Sequence, residues 1–226
     1  MNYDLLNLKF LSGSALKVIA VISMTIDHVA LYVMAGHLGM QEYWLYDVLR
    51  GIGRLAFPIF AFLVVEGFRH THNLKRYMVV LFMAAIISEI PWILLGQYDS
   101  HNVLFTLLLG LIAISMTDMI LFNSLLKVVP LCIISPISAW LNTDYSWHGI
   151  GLMFVFFLFK DKPFLCFLFG FPLVMEYDIV GTACGILICL CYNGHRGFIK
   201  GEWLKYAFYL YYPLHLMAIW SLCVKT

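Results

Sequence analysis

Residues 15–38 read ALKVIAVISMTIDHVALYVMAGHL. A helix that crosses a bilayer needs about 20 mostly apolar residues, and this run is long enough. It also carries the ionisable side chains of Lys17, Asp27 and His28. Such groups are costly within lipid, so each is a candidate functional residue. The stretch therefore predicts a membrane-embedded fold and indicates where its chemistry lies.

The composition of the whole chain extends this prediction. Of the 226 residues, 62% are hydrophobic and 12% are charged, against roughly 45–50% and about 25% in globular proteins. The mean hydropathy is +0.88. These values exclude a soluble domain, a disordered segment and a disulfide-stapled secreted domain. The net charge of +1 offers no basic face, so we expect no nucleic-acid partner.

We predict an all-α, polytopic integral membrane bundle of about nine transmembrane helices, forming a single domain over residues 1–226. Residues 1–14 are predicted to be an interfacial segment that begins with a short helix, and we recognise no removable signal peptide. The sixth to eighth spans are short, so two of them could be broken, tilted or re-entrant. The predicted spans are residues 15–38, 52–68, 76–95, 103–122, 125–141, 147–159, 164–175, 179–192 and 203–224.

The distribution of basic residues predicts the orientation of the bundle. All but three of the 14 Lys and Arg residues lie at alternate loops or their flanks, beginning with the N-terminus. The exceptions are Arg50, Arg54 and Lys225. Short cytoplasmic loops collect Lys and Arg, so we place the N-terminus inside, the C-terminus outside, and the protein in the inner (cytoplasmic) membrane.

Most polar side chains within the predicted spans are expected to lie at a similar depth in the membrane. In this orientation most of them lie in the outer half of their spans, and a polar chamber open to the outside explains that pattern. Five are candidate catalytic residues: His28, Arg54, Glu89, Asn102 and His215.

Lys17 and His28 are expected to lie on one face of the first helix. Eleven residues at about 100° each return to within roughly 20° of the start, with a separation of about 16 Å. One interpretation is an elongated donor whose anionic end meets Lys17 and whose reactive end meets His28. The alternative is that Lys17 reaches the lipid headgroups and His28 bonds a neighbouring helix.

Arg54 and Glu89 each lie near a proline. Pro58 leaves a carbonyl without its usual donor, which predicts a kink in the second span. Arg54 and Glu89 are expected either to form an ion pair between helices or to orient a substrate. Both interpretations stay open from the sequence.

The segment 69–76, RHTHNLKR, is a basic cytoplasmic loop. It either sets the topology or, with Lys17, binds the phosphates of a nucleotide-bearing donor. Its two histidines have no carboxylate or thiolate beside them, so we expect no metal. The candidate donor-binding residues are Lys17, Arg69, His72, Lys75 and Arg76.

Seven short motifs, taken together, resemble the TraX family, which is known from conjugative pilin acetylation. The resemblance covers nearly the whole chain in the expected order. The lysine and histidine eleven residues apart are also distantly similar to the Arg-x10-His signature of membrane acyltransferase-3 enzymes, which O-acylate surface sugars. The motifs are ALKVIA (15–20), MTIDH (24–28), GRLAFPIFAF (53–62), EGFRHT (66–71), SEIP (88–91), NVLFTL (102–107) and FYLYYPLHL (208–216).

The resemblance implies an integral membrane acetyltransferase with acetyl-CoA as donor. The founding member acetylates the amino terminus of pilin, so the implied acceptor is an amine of a peptide or pilin-like protein. The sequence leaves a hydroxyl or amine of an envelope glycan open as another acceptor. It also leaves open whether the reaction is N- or O-acetylation. The other expected partners are the lipid bilayer and, in a homodimer, a second copy of the chain.

Within that reaction we expect His28 to be the general base, directly or through an acetylated imidazole. Glu89 or His215 would orient its ring, and Arg54 or Asn102 would stabilise the oxyanion. Two alternatives from other classes are a proton-coupled secondary transporter, since buried ionisable groups also relay protons, and a non-catalytic membrane assembly protein.

Overall fold

The computed structural model describes residues 9–35, 43–120 and 125–224. Over these residues the chain is helical and contains no β-strand, which confirms the predicted all-α class. A π-helical segment, Val29–Met34, extends the first helix, and a 3-10 turn, Leu126–Val128, precedes the sixth. The helices are α1 Gly13–His28, α2 Tyr43–Gly53, α3 Ala56–His70, α4 Leu74–Leu94, α5 Val103–Asp118, α6 Val129–Trp140, α7 Ser146–Leu158, α8 Pro163–Val174, α9 Ile179–Leu190 and α10 Glu202–Cys223.

Three helical segments are long and apolar enough to cross a membrane by length and composition: Gly13–Met34, Tyr43–His70 and Leu74–Leu94. The shorter apolar helices, with 10–17 residues, include α5, α7, α8 and α9. The described part of the chain therefore supports a membrane protein, and the number of nine crossings and the direction of the termini stay predictions.

The N-terminal region differs from the sequence prediction. Leu11 forms an isolated parallel bridge with Tyr192 and is not helical, so the predicted interfacial helix is wrong for residues 9–11; residues 1–8 lie outside the described residues. The hydroxyl of Ser12 accepts a hydrogen bond from the Ala15 N–H at 3.3 Å, and α1 begins at Gly13 because of this cap. Residues 36–38 of the first predicted span also lie outside the described residues.

The second span begins earlier than predicted and is broken. Helix α2 begins at Tyr43, and a turn at Arg54 and Leu55 separates it from α3. Pro58 lacks an N–H and cannot donate to the Arg54 carbonyl four residues before it. The predicted irregularity is therefore present, but it lies on the N-terminal side of Pro58 and gives Arg54 a place between two helices.

Helices α3, α5 and α7 contact one another at the centre of the bundle. Residues 149–156 of α7 are all buried, as expected for a helix surrounded by other helices. Helix α10 packs against α4 and runs parallel to α1, because Lys17 lies against Phe208 near one end of the pair and His28 lies against His215 further along. Helix α7 therefore lies inside the bundle, and α10 lies beside both α4 and α1.

Candidate functional site

Two histidines from the first and last helices form the centre of the site. The Nδ1 atom of His28 lies 2.7 Å from the Nε2 atom of His215, and the Nδ1 atom of His215 lies 3.0 Å from the Tyr211 carbonyl oxygen. A carbonyl only accepts, so His215 donates from Nδ1, and the Nε2 atom of the neutral ring accepts. His28 consequently donates from Nδ1 and keeps a lone pair on Nε2.

The two helices present these side chains through local features of their sequence. Tyr211 and His215 are one turn apart on α10, and Lys17 and His28 both face this helix, with the Lys17 amine 5.6 Å from the Phe208 ring centroid. The predicted common face of Lys17 and His28 is thereby confirmed. The helix widens into its π-helical segment directly after His28, an irregularity that is frequent at functional sites.

A second polar group joins α1 to the break between α2 and α3. Arg50 and Asp27 form an ion pair at 2.7 Å, and the Arg54 Nη1 atom donates to the Tyr145 hydroxyl at 3.0 Å. A Cβ atom on Gly53 would overlap the side chain of Asp27, so glycine is required for this approach. The Asp27 carboxylate is thus held by Arg50, and the His28 ring is bonded to His215 instead.

These groups surround a cavity of about 350 Å³ at one end of the bundle. A narrower recess of about 50 Å³ continues beside it. Asp27, His28, Arg54, Asp144 and Tyr145 contribute to the walls of both. The other residues of the larger cavity are Leu31, Tyr32, Arg50, Trp92, Gln97, Ser100, Asn142, Thr143, Ser146 and Tyr177.

The connection between α6 and α7 forms one wall of the cavity and has a strained backbone. Asn142, Tyr145 and Ser146 have φ angles of 47°, 60° and 39°, in the left-handed region that residues other than glycine rarely adopt. The Thr106 hydroxyl donates to the Asp144 carbonyl and helps hold this conformation. Strain of this kind collects at ligand-binding and active sites.

Asp144, in the same connection, is the titratable group of this wall. Burial raises the pKa of its carboxyl from 3.8 to about 6, and the nearby Asp27 adds to the increase. The Arg54 guanidinium and the Tyr145 backbone N–H oppose it without cancelling it. Burial in the cavity wall therefore favours the neutral form of this carboxyl.

Glu89 and Asn102 lie in a different network, which joins α4 to the start of α5. The Asn102 amide donates to Glu89 Oε2 at 2.5 Å and to the Ala85 carbonyl at 2.9 Å, and its oxygen caps the Leu104 N–H at 3.1 Å. Glu89 Oε1 lies 2.6 Å from His101 Nδ1. Among the described residues, neither Glu89 nor Asn102 lines the two cavities, and their catalytic role stays a prediction.

The proposed ion pair between Arg54 and Glu89 is wrong. Arg54 bonds to Tyr145, and Glu89 pairs with His101. Of the two residues expected to orient His28, the structure brings His215 to it. Of the two expected to stabilise an oxyanion, it places Arg54 beside it in both cavity walls.

The predicted donor-binding residues lie apart from His28. Arg69 donates to Glu66 at 2.6 Å and to the Phe157 carbonyl at 2.8 Å, so its guanidinium links α3 to the C-terminal end of α7. His72 and Lys75 are exposed. Among the described residues, no predicted donor-binding residue lines either cavity. Arg69 thus joins α3 to α7, and its role in donor binding stays a prediction. Lys17 and Arg76 both contact α10, the helix that carries His215: Lys17 lies against Phe208, and the Arg76 guanidinium donates to the Tyr206 hydroxyl at 2.6 Å.

The sequence interpretation missed Arg50, Asp144 and Tyr145 as parts of the site. Arg50 lies outside the predicted second span, whereas in the structure it is part of α2, four residues before Arg54, a spacing that brings helical side chains to one face. Asp144 and Tyr145 lie between two apolar segments, and their position against Arg54 depends on the tertiary packing of α7 on α3.

The helices and the polar cavity define an all-α membrane protein with an ionisable site at one end of its bundle. A family model described as TraX protein matches residues 12–223. The chain therefore belongs to the TraX family, and the predicted resemblance is confirmed.

Two curated proteins are similar to this chain. The chain is 30% identical to the probable fimbrial assembly protein FimC, serogroup H1, of Dichelobacter nodosus, over 93% of this chain and 95% of that protein. It is also 30% identical to the uncharacterized protein RP591 of Rickettsia prowazekii (strain Madrid E), over 65% of this chain and 55% of that protein. No solved structure matches the chain.

Proposed function

We propose that this protein is an acetyl-CoA-dependent acetyltransferase of the inner membrane that modifies a pilin-like protein or an envelope glycan. The similarity to the Dichelobacter protein, a probable fimbrial assembly protein, supports a role in pilus assembly. The acceptor group is an amine or a hydroxyl that reaches the larger cavity, which the distribution of basic residues predicts to face outward.

The hydrogen-bond chain through His28 is the observation that carries this proposal. With Nδ1 donating to His215, His28 presents its Nε2 lone pair and removes a proton from the acceptor as it attacks the thioester carbonyl. Such general-base catalysis contributes typically 10²–10⁴-fold. His215 accepts from His28, so it fixes the tautomer and stabilises the imidazolium that forms.

Arg54 supplies the positive charge in this mechanism. Its guanidinium lines both cavity walls with His28 and is held by the Tyr145 hydroxyl. A fixed cation beside the reacting carbonyl stabilises the negative charge that develops on its oxygen. The C–S bond then breaks, and the CoA thiolate takes the proton that His28 carries.

The donor enters along the seam between α1 and α10. Lys17 faces this seam against Phe208, and His28 faces it against His215. The two positions are about 16 Å apart along the helix, a span that suits an elongated donor with phosphates at one end and a thioester at the other. Lys17, with the basic residues His72, Lys75 and Arg76, binds the phosphates in this proposal.

The experiment is a turnover measurement with labelled acetyl-CoA and the purified full-length protein in detergent. We expect slow acetyl-CoA hydrolysis that is lost in His28→Ala and retained in Cys189→Ala. Cys189 is buried against the Pro58 carbonyl, outside both cavity walls. Equal turnover in His28→Ala and the unaltered protein would refute the assignment of the base.

Further experiments in liposomes and in cells separate this function from the two alternatives. Proton flux into liposomes without any affinity for CoA supports a transporter, in which the buried ions relay protons. Pilus assembly that persists in His28→Ala cells supports a non-catalytic assembly protein. Mass spectrometry of exported pilins and glycans from cells with and without the gene identifies the acetylated product.

A further inference from the structure

Buried polar atoms that lack a hydrogen-bond partner are concentrated around the two cavities. Among the described residues, the buried side-chain atoms without such a partner are Asp27 Oδ1, Arg50 Nη1 and the hydroxyls of Tyr32 and Tyr212. All of these residues line one or both cavities. Buried polar groups are nearly always hydrogen-bonded in folded proteins, so unpaired ones that face a cavity indicate where a ligand binds.

Tyr212 differs from the other members of this set. The Asp27 and Arg50 atoms face each other in their ion pair at 2.7 Å. The hydroxyl of Tyr32 belongs to the larger cavity alone, where the Gln97 side chain lies near it. Tyr212 belongs to the narrower recess, and its hydroxyl is therefore the group whose role the contacts described above leave unexplained.

The Tyr212 hydroxyl retains a proton that it can donate. The residue is only 5% exposed, and its ring packs at steep angles against the rings of His28 and His215, with centroids 6.3 and 5.3 Å away. The backbone N–H of Val103 lies near the hydroxyl oxygen, and an N–H only donates. The proton of this hydroxyl thus has no acceptor within the part of the chain that the structure describes.

This donor lies where negative charge develops in the proposed reaction. Tyr212 lines the recess together with His28 and Arg54, which are the base and the cation of that reaction. As the acceptor attacks the thioester, an electron pair of the carbonyl bond moves onto its oxygen. Fixed hydrogen-bond donors beside this oxygen stabilise the charge, and the hydroxyl and the guanidinium are two such donors in one recess.

We propose that the Tyr212 hydroxyl donates a hydrogen bond to the carbonyl oxygen of the bound thioester and, with Arg54, forms the oxyanion hole. This inference rests on the proposed acetyltransferase function and adds a catalytic residue to it. The hydroxyl keeps its proton throughout, because His28 removes the proton of the acceptor and passes it to the departing thiolate. Tyr212 therefore acts on the charge of the oxygen and not on the transfer of the proton.

The first test compares acetyl-CoA hydrolysis by the purified full-length protein and by Tyr212→Phe, which lacks one oxygen atom. Loss of one oxyanion-hole donor lowers kcat by about 10²–10³-fold, and we expect a decrease of that size with little change in KM. The melting temperature should be unchanged or higher, because the lost hydroxyl has no acceptor in the protein. A structural role predicts the reverse: a lower melting temperature and an unchanged kcat of the folded fraction.

Tyr209→Phe is the matched control on the same helix. The Tyr209 hydroxyl is hydrogen-bonded to Tyr77, and Tyr209 lines neither cavity. We expect the turnover of this variant to equal that of the unaltered protein. Its melting temperature should be slightly lower, because the substitution removes a hydrogen bond. The same chemical change at two positions of α10 therefore has opposite effects on activity and stability.

A ketone analogue of acetyl-CoA gives a readout that does not depend on turnover. In this analogue a methylene group replaces the sulfur atom, so no C–S bond can break, and the carbonyl carbon carries an isotope label. A hydrogen bond to a carbonyl lowers its infrared stretching frequency. We expect the frequency of the bound carbonyl to be higher in Tyr212→Phe than in the unaltered protein, and unchanged in Tyr209→Phe.

The outcomes separate this inference from the proposed function. Full turnover and an unchanged carbonyl frequency in monodisperse Tyr212→Phe, with turnover that still depends on His28, overturn the role of Tyr212 and leave the proposed function intact. If acetyl-CoA turnover is the same in the unaltered protein and in His28→Ala, the proposed function is wrong and the role of Tyr212 is wrong with it.

Discussion

The imidazoles of His28 and His215 lie edge to edge with their planes 11° apart, and they share a hydrogen bond of 2.7 Å between Nδ1 and Nε2. His28 is the last residue of α1, and His215 lies in the second half of α10. This contact therefore joins the two terminal helices at the depth of the cavity. It defines which nitrogen of His28 can accept a proton, because the second ring is itself anchored to the Tyr211 carbonyl.

His215 is predicted to act as a positioning residue. In His215→Leu, His28 loses its acceptor, and acetyl-CoA turnover should fall by about 10-fold or more with a changed pH profile. His215→Gln retains a side-chain oxygen that can accept from His28, so it should recover part of the rate. A purely structural role for His215 would instead lower the yield of folded protein and leave the pH profile of the remainder unchanged.

Substitutions of Gly51 and Gly53 provide a matched pair of variants that tests the ion pair between Asp27 and Arg50. Gly53→Ala should destabilise the protein by about 1–3 kcal/mol, because the new Cβ overlaps Asp27 and displaces its ion pair. Gly51→Ala places its Cβ 3.8 Å from Asp178, an ordinary contact, and should be neutral or slightly stabilising. Thermal unfolding of both variants in detergent checks this difference, and equal effects would contradict it.

Asp144 should make stability depend on pH in a defined direction. Its pKa of about 6 in the folded chain exceeds the usual 3.8, so the folded state binds the proton more tightly than the unfolded state. The free energy of unfolding attributable to this group therefore decreases as the pH rises from about 4 through 6.

Asp144→Asn tests that expectation because an amide cannot ionise. The variant should melt a few degrees higher than the unaltered protein at pH 8 and at nearly the same temperature at pH 4. Asp161→Asn, at an exposed turn, is the control and should change neither value. A lower melting temperature of Asp144→Asn at pH 8 would mean that attraction to Arg54 outweighs the effect of burial.

Arg69 is predicted to matter for stability and not for donor binding. Its side chain is 14% exposed and that of Glu66 is 9% exposed. Arg69→Met should destabilise the fold by about 3–5 kcal/mol, because it leaves the Glu66 carboxylate buried without its arginine. The double variant Arg69→Met/Glu66→Gln should be more stable than the single one. If the Arg69→Met protein is folded but binds acetyl-CoA much more weakly, this prediction is wrong and Arg69 is a donor-binding residue.

His28 could be identified from the sequence because one physical rule is enough to select it. An imidazole in an apolar run must have a partner or a function. The sequence limited that partner to Glu89 or His215, and the helical spacing placed Lys17 on the same face. The choice between the two partners depends on how α10 packs against α1, which no spacing within either helix specifies.

For other residues, a local signal in the sequence indicates the contact that the structure shows. Asn102 directly precedes an apolar run and is the N-cap of α5, a role that asparagine fills often. Glu66 and Arg69 are three residues apart, the spacing of an ion pair on a helix surface. Residues 43–53 mix apolar and polar side chains, and their mean hydropathy is therefore too low to indicate a membrane helix. The sequence prediction consequently leaves Arg50 outside the spans.

Helices α8 and α9 contain 12 residues each, about 18 Å of helix at 1.5 Å per residue. The hydrocarbon core of a typical bilayer is about 30 Å thick, so a crossing by either helix would require thinner lipid beside it. Helix α9 contacts α2 and α3 on either side of Arg54. The acyl-chain length of the surrounding phospholipids should therefore influence the position of Arg54 in the cavity wall. Reconstitution in short- and long-chain bilayers should give measurably different turnover.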